Sequence, residues 1–261
     1  NLVSTHKTSP QNYLVQLPDL NKNDNSRNDH SDALYNAVQA GILFFLDEDD
    51  DYAQFAADIL SYYTPKIAEQ ADDLHFSKTG HWIESRDLYP KVGMIYDFIQ
   101  PFLKNEENTV YDVHSGTRRL FDLDTAELAF RRLADEVFNH GGIGSNHSAY
   151  EASGALFNIL CIENDSIRDV YFDTFMNGTP NQDGFHTILN TIKTNDYLWP
   201  ESFTYGKVTH EVVLHLLNVV DRYMDSLNLV NSHRSTLKGA FLYQNMKYPN
   251  KTAAIRMGDS R

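Results

Sequence analysis

Apolar residues recur along most of the chain at the spacing of amphipathic α-helices. The clearest example is residues 206–226, where Val212, Leu216 and Val220 fall on one face at the 3.6-residue period. Four other segments share this period and are predicted to be helices: residues 148–162, 166–176, 184–193 and 232–244. No segment alternates between apolar and polar residues for long enough to form a central strand. The pattern therefore predicts an all-α fold.

Capping residues and prolines indicate where the helices of the first half begin and end. Ser31 or Asp32 is predicted to cap the first of these helices. Pro65 is predicted to end or kink the second, because proline lacks the backbone N–H that a helix interior uses. Residues 76–86 then lose the helical period and are predicted to form a loop.

A capping box is suggested farther along, where Glu127 stands three positions after Asp124. This spacing predicts a helix over residues 126–138. Helices of ordinary length joined by short turns favour helical hairpins that curl into an incomplete (α/α) toroid. In such an arrangement the polar loops would gather at one rim.

The chain is expected to contain three parts. Residues 1–30 are polar and rich in turn-forming residues, so they are predicted to be an extended lead-in. Residues 31–247 would form the helical toroid, which is the candidate catalytic domain. Residues 248–261 have no helical period and are predicted to connect to a C-terminal domain, so we expect the chain to belong to a longer protein.

Charge and hydropathy narrow the classes of function. The chain carries 36 acidic and 22 basic residues, a net charge of −14, which argues against a nucleic-acid binder and also fits poorly with an acidic polysaccharide substrate. No apolar run approaches the roughly 20 residues that span a bilayer. No charged-then-apolar leader follows Asn1, so a mature chain without a signal peptide is expected. The one cysteine, Cys161, rules out an internal disulfide.

A glycine-rich turn, residues 141–145, leads to Asn146 and His147 at the start of an apolar helix. A helix N-terminus favours an anion, and the Asn146 amide adds a hydrogen-bond donor at the same place. His147 could act as a base or a polar partner near neutral pH. Two other interpretations stay open: Asn146 could be an ordinary helix cap, or Asn146 to Ser148 could be a glycosylation sequon.

A phenol stands in a similar place in a second loop, where Tyr205 follows Trp199 and Glu201 and begins the long helix. The pKa of a free tyrosine is about 10, so Tyr205 could donate a proton without help but would need a neighbouring cation or a desolvated network of hydrogen-bond donors to act as a base. The alternative is an ordinary half-buried tyrosine, one of 15 in the chain.

Aromatic and basic residues elsewhere could contact a sugar. The segment that contains His81, Trp82, Arg86 and Tyr89 offers aromatic faces for a sugar ring and a cation for an acidic group. Trp199 is the second of the two tryptophans and, like Trp82, is predicted to lie in a loop.

Other catalytic motifs are absent or incomplete. His210 and His215 are five positions apart, whereas a zincin helix spaces its two histidines four apart, and no paired-cysteine metal site exists. No cofactor or metal is therefore predicted for this chain. Glu151, Asp183 and Glu201 are carboxylates from which a glycosidase pair could be drawn.

Four stretches resemble the heparinase II/III-like polysaccharide lyases, a group that includes oligoalginate and ulvan lyases. They are residues 35–46, the pair Asn146 and His147 with Glu151, the loop from Glu201 to Tyr205, and the terminal run Met257, Gly258, Asp259 and Ser260. The resemblance implies an (α/α) toroid followed by a β-sandwich domain of the same protein, secreted or periplasmic. A structural metal in that β-domain would fit the family, and this chain holds no site for it.

The resemblance also implies β-elimination on a uronate-containing acidic polysaccharide. Asn146 would neutralise the uronate carboxylate, and Tyr205 would protonate the leaving glycosidic oxygen. His147 would be the base for one epimer or would stabilise the carboxylate. Glu151, Glu201 and the aromatic residues above would bind substrate. Two other functions stay open: a glycoside hydrolase on a similar toroid, and a non-catalytic helical module that binds a glycan or a protein partner.

Overall fold

Helices dominate the computed structural model, which describes residues 2–70 and 73–245. The predicted all-α fold is confirmed. The α-helices in the described part of the chain are α1 (Leu2–Thr8), α2 (Pro10–Leu14), α3 (Arg27–Asp47), α4 (Asp50–Glu69), α5 (His81–Asp87), α6 (Tyr89–Leu103), α7 (Leu123–His140), α8 (Asn146–Ile159), α9 (Asp165–Asn177), α10 (Phe185–Thr194), α11 (Phe203–Tyr223), α12 (Leu229–Ser232) and α13 (Arg234–Asn245).

A small antiparallel hairpin interrupts the helices between α6 and α7. Strand β1 (Val110–Asp112) pairs with β2 (Thr117–Arg119), with Val110 opposite Arg119. A 3-10 turn at Asp225–Leu227 connects α11 to α12. No helix within the described residues is both long enough and apolar enough to cross a membrane.

The chain divides into two compact units. The first unit comprises Asn1–Val137 and Gly154–Phe172, and the second comprises Phe138–Ser153 and Asp173–Arg261.

Helices α3, α4 and α6 pack against one another at the centre of the first unit. His30 on α3 is fully buried and joins two neighbours: Nδ1 lies 2.9 Å from the Tyr63 hydroxyl, and Nε2 lies 3.0 Å from the Phe76 carbonyl oxygen. Because an unpaired buried imidazole would be costly, the first bond fixes where α3 meets α4 and the second attaches α3 to the segment that follows α4.

Helices α10, α11 and α13 form the core of the second unit. The predicted apolar face of α11 is buried at Val213, Leu216 and Val220. Val208, in the second turn of the helix, is 42% exposed and leaves that face. The first two turns of α11 therefore have one buried face, at Thr209 and His210, and one accessible face, on which Tyr205 and Val208 lie.

The extended lead-in predicted for residues 1–30 is wrong, because α1 and α2 lie there and α3 begins at Arg27. Tertiary contacts explain the difference. His6 on α1 is buried, and its Nε2 lies 2.8 Å from Oδ2 of the buried Asp58 on α4. Two short helices that are weak alone are thus stabilised by packing on α4.

Three other boundaries differ from the prediction. Helix α4 does not end at Pro65 but continues to Glu69, with Ile67 beyond the proline fully buried; a kink at Pro65 stays a prediction. Residues 81–87 form helix α5 rather than the end of a loop. Helix α7 is capped by Asp122, not Asp124: the Asp122 carboxylate accepts hydrogen bonds from Thr125 N at 2.9 Å and Thr125 Oγ1 at 2.8 Å.

Candidate functional site

The glycine-rich turn before α8 is tied to a second loop of the same unit. Gln182 Oε1 accepts a hydrogen bond from Gly142 N at 3.0 Å, and Asp183 N donates to Gly142 O at 3.0 Å. The Asp183 carboxylate accepts a further bond from Gly144 N at 2.6 Å. Gly144 has a φ of +63°, a left-handed conformation that glycine adopts without strain. The turn therefore has a defined conformation.

Asn146 is the first residue of α8 and is only 5% exposed. Its side-chain amide makes no hydrogen bond to another residue in the described ranges. The helix start is held instead by Ser148, whose N and Oγ donate to the Ser145 carbonyl at 3.2 and 2.7 Å. The interpretation of Asn146 as a cap therefore has no support from its contacts, and its burial argues against use as a glycosylation sequon.

His147 and Glu151 surround the same turn. A Cβ atom added to Gly142 would lie 3.2 Å from His147 Cβ and 3.3 Å from Glu151 Oε2. Only glycine lets the turn approach these side chains so closely. Glu151 is 1% exposed, so its carboxylate lies beneath the turn rather than on an open surface.

Tyr205 lies in the first turn of α11 and is 39% exposed. One turn later, Thr209 Oγ1 lies 2.7 Å from the Tyr205 carbonyl oxygen and 3.3 Å from the Tyr150 hydroxyl. Tyr150 in turn stands one turn after Asn146 on α8. Asn146 and Tyr205 thus each lie four residues, about 6 Å of helix, from a single contact between their helices.

The loop before α11 adopts an unusual backbone conformation. Asp196 and Tyr197 have φ values of +53° and +66°, which non-glycine residues rarely adopt. The Tyr197 carbonyl packs against Gly239 of α13, where an added Cβ would lie 1.9 Å from the Tyr197 oxygen. Buried His210 lies at the same point, and burial lowers its pKa, an effect that the carbonyls of Gly206 and Tyr197 oppose.

Trp199 and Glu201 contact each other within this loop. The Trp199 indole Nε1 donates to Glu201 Oε2 at 2.8 Å, and the Trp199 side chain is only 4% exposed. Trp199 therefore stabilises the loop as part of its interior rather than offering an open face for a sugar ring. Glu201 remains exposed.

The other predicted sugar-binding residues belong to the first unit. His81 is the first residue of α5. Trp82 on α5 is 42% exposed, and the Arg86 guanidinium carbon lies 5.1 Å from the centroid of its ring. Tyr89 differs from the prediction, because it is fully buried and its hydroxyl donates to the Leu74 carbonyl at 3.3 Å. Burial also raises its pKa well above the ordinary value, so Tyr89 belongs to the core.

The candidate carboxylates of a hydrolase fall into different surroundings. The Asp183 carboxylate is bound to the Gly144 amide, and that of Glu201 is bound to the Trp199 indole. Within the described residues, no three His, Cys, Asp or Glu side chains are grouped closely enough to hold a metal ion.

Sequence reasoning did not identify Gln182, the residue whose side chain bonds both the glycine-rich turn and the first turn of α8. Gln182 is 3% exposed, and its amide Nε2 donates to the carbonyls of Ser148 at 2.8 Å and Asp183 at 3.0 Å. It lies outside any helix and belongs to no apolar pattern. Only its place between Pro180 and Gly184, in a turn-rich segment, marked it as a loop residue.

Two comparisons relate the chain to known proteins. The family described as endo-acting ulvan lyase, second domain, matches residues 195–261. An endo-acting ulvan lyase of Formosa agariphila is 30% identical over 275 residues, which cover 99% of this chain and 33% of the relative. The chain thus spans about a third of the length of that relative. No solved structure matches the chain.

Proposed function

We propose that the chain is part of a polysaccharide lyase and that it provides the carboxylate-binding and proton-transferring residues of a uronate-specific enzyme; the matches to ulvan lyases support this. The observation that carries the proposal concerns Asn146, which is 5% exposed and is the first residue of α8. It has no hydrogen-bond partner among the described residues, and it lies within one turn of the contact between α8 and α11.

Asn146 is proposed to bind the uronate carboxylate. The free N–H groups and positive dipole end of α8 attract an anion there, and the amide donates an additional hydrogen bond. Removal of the C5 proton places negative charge on the carboxylate as an enolate-like intermediate. Donors already held in place stabilise that charge more than they stabilise the ground state, and this lowers the barrier.

Tyr205 is proposed to protonate the leaving group. In β-elimination the C5–H bond breaks, the electron pair forms the C4=C5 double bond, and the C4–O bond breaks. For one epimer, His147 accepts the C5 proton and the Tyr205 hydroxyl protonates the departing glycosidic oxygen. For the other epimer, Tyr205 starts as the phenolate, takes the C5 proton and then delivers that proton to the departing oxygen. A half-exposed phenol at the start of a helix can reach a polysaccharide in this way.

Ulvan is the substrate to test first, because the curated relative is named an endo-acting ulvan lyase. Trp82 and Arg86 are proposed to contact sugar residues, since an exposed indole ring with a guanidinium beside it suits a ring that carries an acid group. Further catalytic residues are proposed to come from a C-terminal β-domain.

The experiment is a product assay on the complete gene product with ulvan, alginate, heparan and chondroitin chains. A lyase produces an unsaturated uronate at the new non-reducing end, which absorbs ultraviolet light, whereas a hydrolase leaves no double bond. Shortening of a polysaccharide without a rise in absorbance would assign a hydrolase. Binding without shortening, unchanged by Tyr205→Phe, would assign a non-catalytic module.

A further inference from the structure

The loop that faces the glycine-rich turn holds both ends of the segment that carries Asn146. Gln182 accepts from Gly142 N and donates to Ser148 O, and these two residues lie four positions before and two positions after Asn146. The same amide also donates to its neighbour, the Asp183 carbonyl. One buried side chain therefore fixes the turn and the first turn of α8 together.

The loop around Gln182 is itself firmly anchored. Thr179 N donates to the Gln182 carbonyl at 2.9 Å, and Thr179 Oγ1 donates to the Phe138 carbonyl at 2.7 Å. Asn181 Nδ2 donates to the Asn139 carbonyl at 2.9 Å. These bonds attach the loop to the end of α7. The backbone that carries the Gln182 amide is therefore held in place.

We propose that Gln182 is a positioning residue that holds the Asn146 amide where a uronate carboxylate binds. The inference rests on the function proposed above. The Asn146 side chain has no hydrogen-bonded neighbour of its own among the described residues, so its position depends on the backbone that carries it. That backbone is held at Gly142 and Ser148 by Gln182. Misplacement of a catalytic group by about 1 Å can cost about 100-fold in rate. Loss of the Gln182 bonds should therefore lower kcat more than it changes KM.

Gln182→Leu and Gln182→Glu test the proposal. The leucine variant loses all three bonds, and we expect kcat to fall roughly 10- to 100-fold with little change in KM. The glutamate variant can still accept from Gly142 N but cannot donate to the Ser148 carbonyl. Its kcat should fall by an intermediate factor.

Asn158→Leu is the matched control, because Asn158 is also a buried amide on α8. It donates to the carbonyls of Tyr89 at 2.9 Å and Gly154 at 2.7 Å, far along the helix from Asn146. This variant should lower the melting temperature about as much as Gln182→Leu does. Its kcat, measured below the melting transition, should remain close to that of the wild type.

A double-mutant cycle separates positioning from a general loss of stability. In an Asn146→Ala background, Gln182→Leu should lower kcat little further, because the group it positions is already gone. Equal effects of Gln182→Leu with and without Asn146 would overturn the proposal. So would an unchanged kcat in the single variant.

Hydrogen exchange keeps the inference separate from the proposed activity. Gln182→Leu should speed amide exchange over residues 141–148, whereas Asn158→Leu should not. If the wild type produces no unsaturated product from any uronate chain, the proposed function fails, and the exchange result still decides whether Gln182 anchors the segment. If the wild type is active and exchange over residues 141–148 is unchanged, the positioning role fails alone.

Discussion

The hydroxyl oxygen of Thr209 lies 3.3 Å from the hydroxyl oxygen of Tyr150, which joins the second turn of α11 to the second turn of α8. A hydroxyl carries one hydrogen, and that of Thr209 is 2.7 Å from the Tyr205 carbonyl. Thr209 therefore donates to Tyr205, and the Tyr150 hydroxyl can donate back to Thr209 Oγ1. This small network links the helix that carries Asn146 to the helix that carries Tyr205.

Thr209→Val should break both links while keeping the shape of the side chain. We expect a loss of about 1 kcal/mol in the free energy of unfolding and a fall of roughly tenfold in kcat. Thr191→Val is the control, because Thr191 makes the same bond to a carbonyl one turn earlier, at Thr187, on an exposed surface. Thermal unfolding and the product assay measure the two effects. A Thr209→Val enzyme with wild-type kcat would contradict the role of the network.

Tyr205→Phe removes the proposed proton donor. Since a positioned general acid typically contributes about 100- to 10,000-fold, kcat should fall by that order. The melting temperature should hardly change, because the ring is 39% exposed. Tyr35→Phe, at a tyrosine that is 54% exposed on α3, gives the background effect of losing a surface phenol. Equal activity of the two variants would rule out Tyr205 as the acid.

Asn146→Asp distinguishes a structural role at the helix start from carboxylate binding. An aspartate in the first turn interacts favourably with the helix dipole, so stability should be kept or slightly raised. The new negative charge would repel the uronate carboxylate, and kcat/KM should fall by roughly 100-fold or more, comparable to the loss of an oxyanion donor. Unfolding curves and initial rates on one preparation give both values. Retained activity in a stable variant would show that the amide does not contact the carboxylate.

Periodicity predicted the helices that bury an apolar stripe. It failed where tertiary contacts determine whether a helix forms or where it begins. The helices from α8 to α11 lie within a few residues of their predicted bounds. Helix α1 has no strong pattern of its own and depends on the pair His6 and Asp58, 52 positions apart. The cap of α7 was misplaced by two residues, because both Asp122 and Asp124 precede it and only the backbone geometry selects Asp122.

The candidate site was predicted in part. Spacing and residue type identified Asn146, His147 and Tyr205, and their roles stay predictions. Sequence could not show that Trp199 turns inward to bond Glu201, since either orientation satisfies the same pattern. Nor could the sequence reveal the role of Gln182, because its bond to Ser148 spans 34 positions and depends on how two segments of the chain pack together. Contacts of this kind are properties of the packed chain, not of local propensity.

Buried His30 should make the fold sensitive to mild acid. Burial lowers its pKa, and the carbonyl of Phe76 opposes the shift only in part. Below the ordinary histidine pKa of about 6.5, the unfolded chain takes up a proton that folded His30 resists, so the free energy of unfolding should fall as the pH drops through that range. His210 and His233, whose pKa values burial also lowers, act in the same direction.

His30→Gln tests whether His30 causes the acid sensitivity of the fold, because glutamine can still hydrogen-bond but does not titrate. We expect a lower melting temperature near neutral pH, by about 2–4 °C for each kcal/mol lost. The decrease in melting temperature between pH 7 and pH 5 should be smaller than in the wild type, since one proton-linked group has been removed. Differential scanning calorimetry across that range measures the slope. A variant with the wild-type slope would assign the acid sensitivity to other groups.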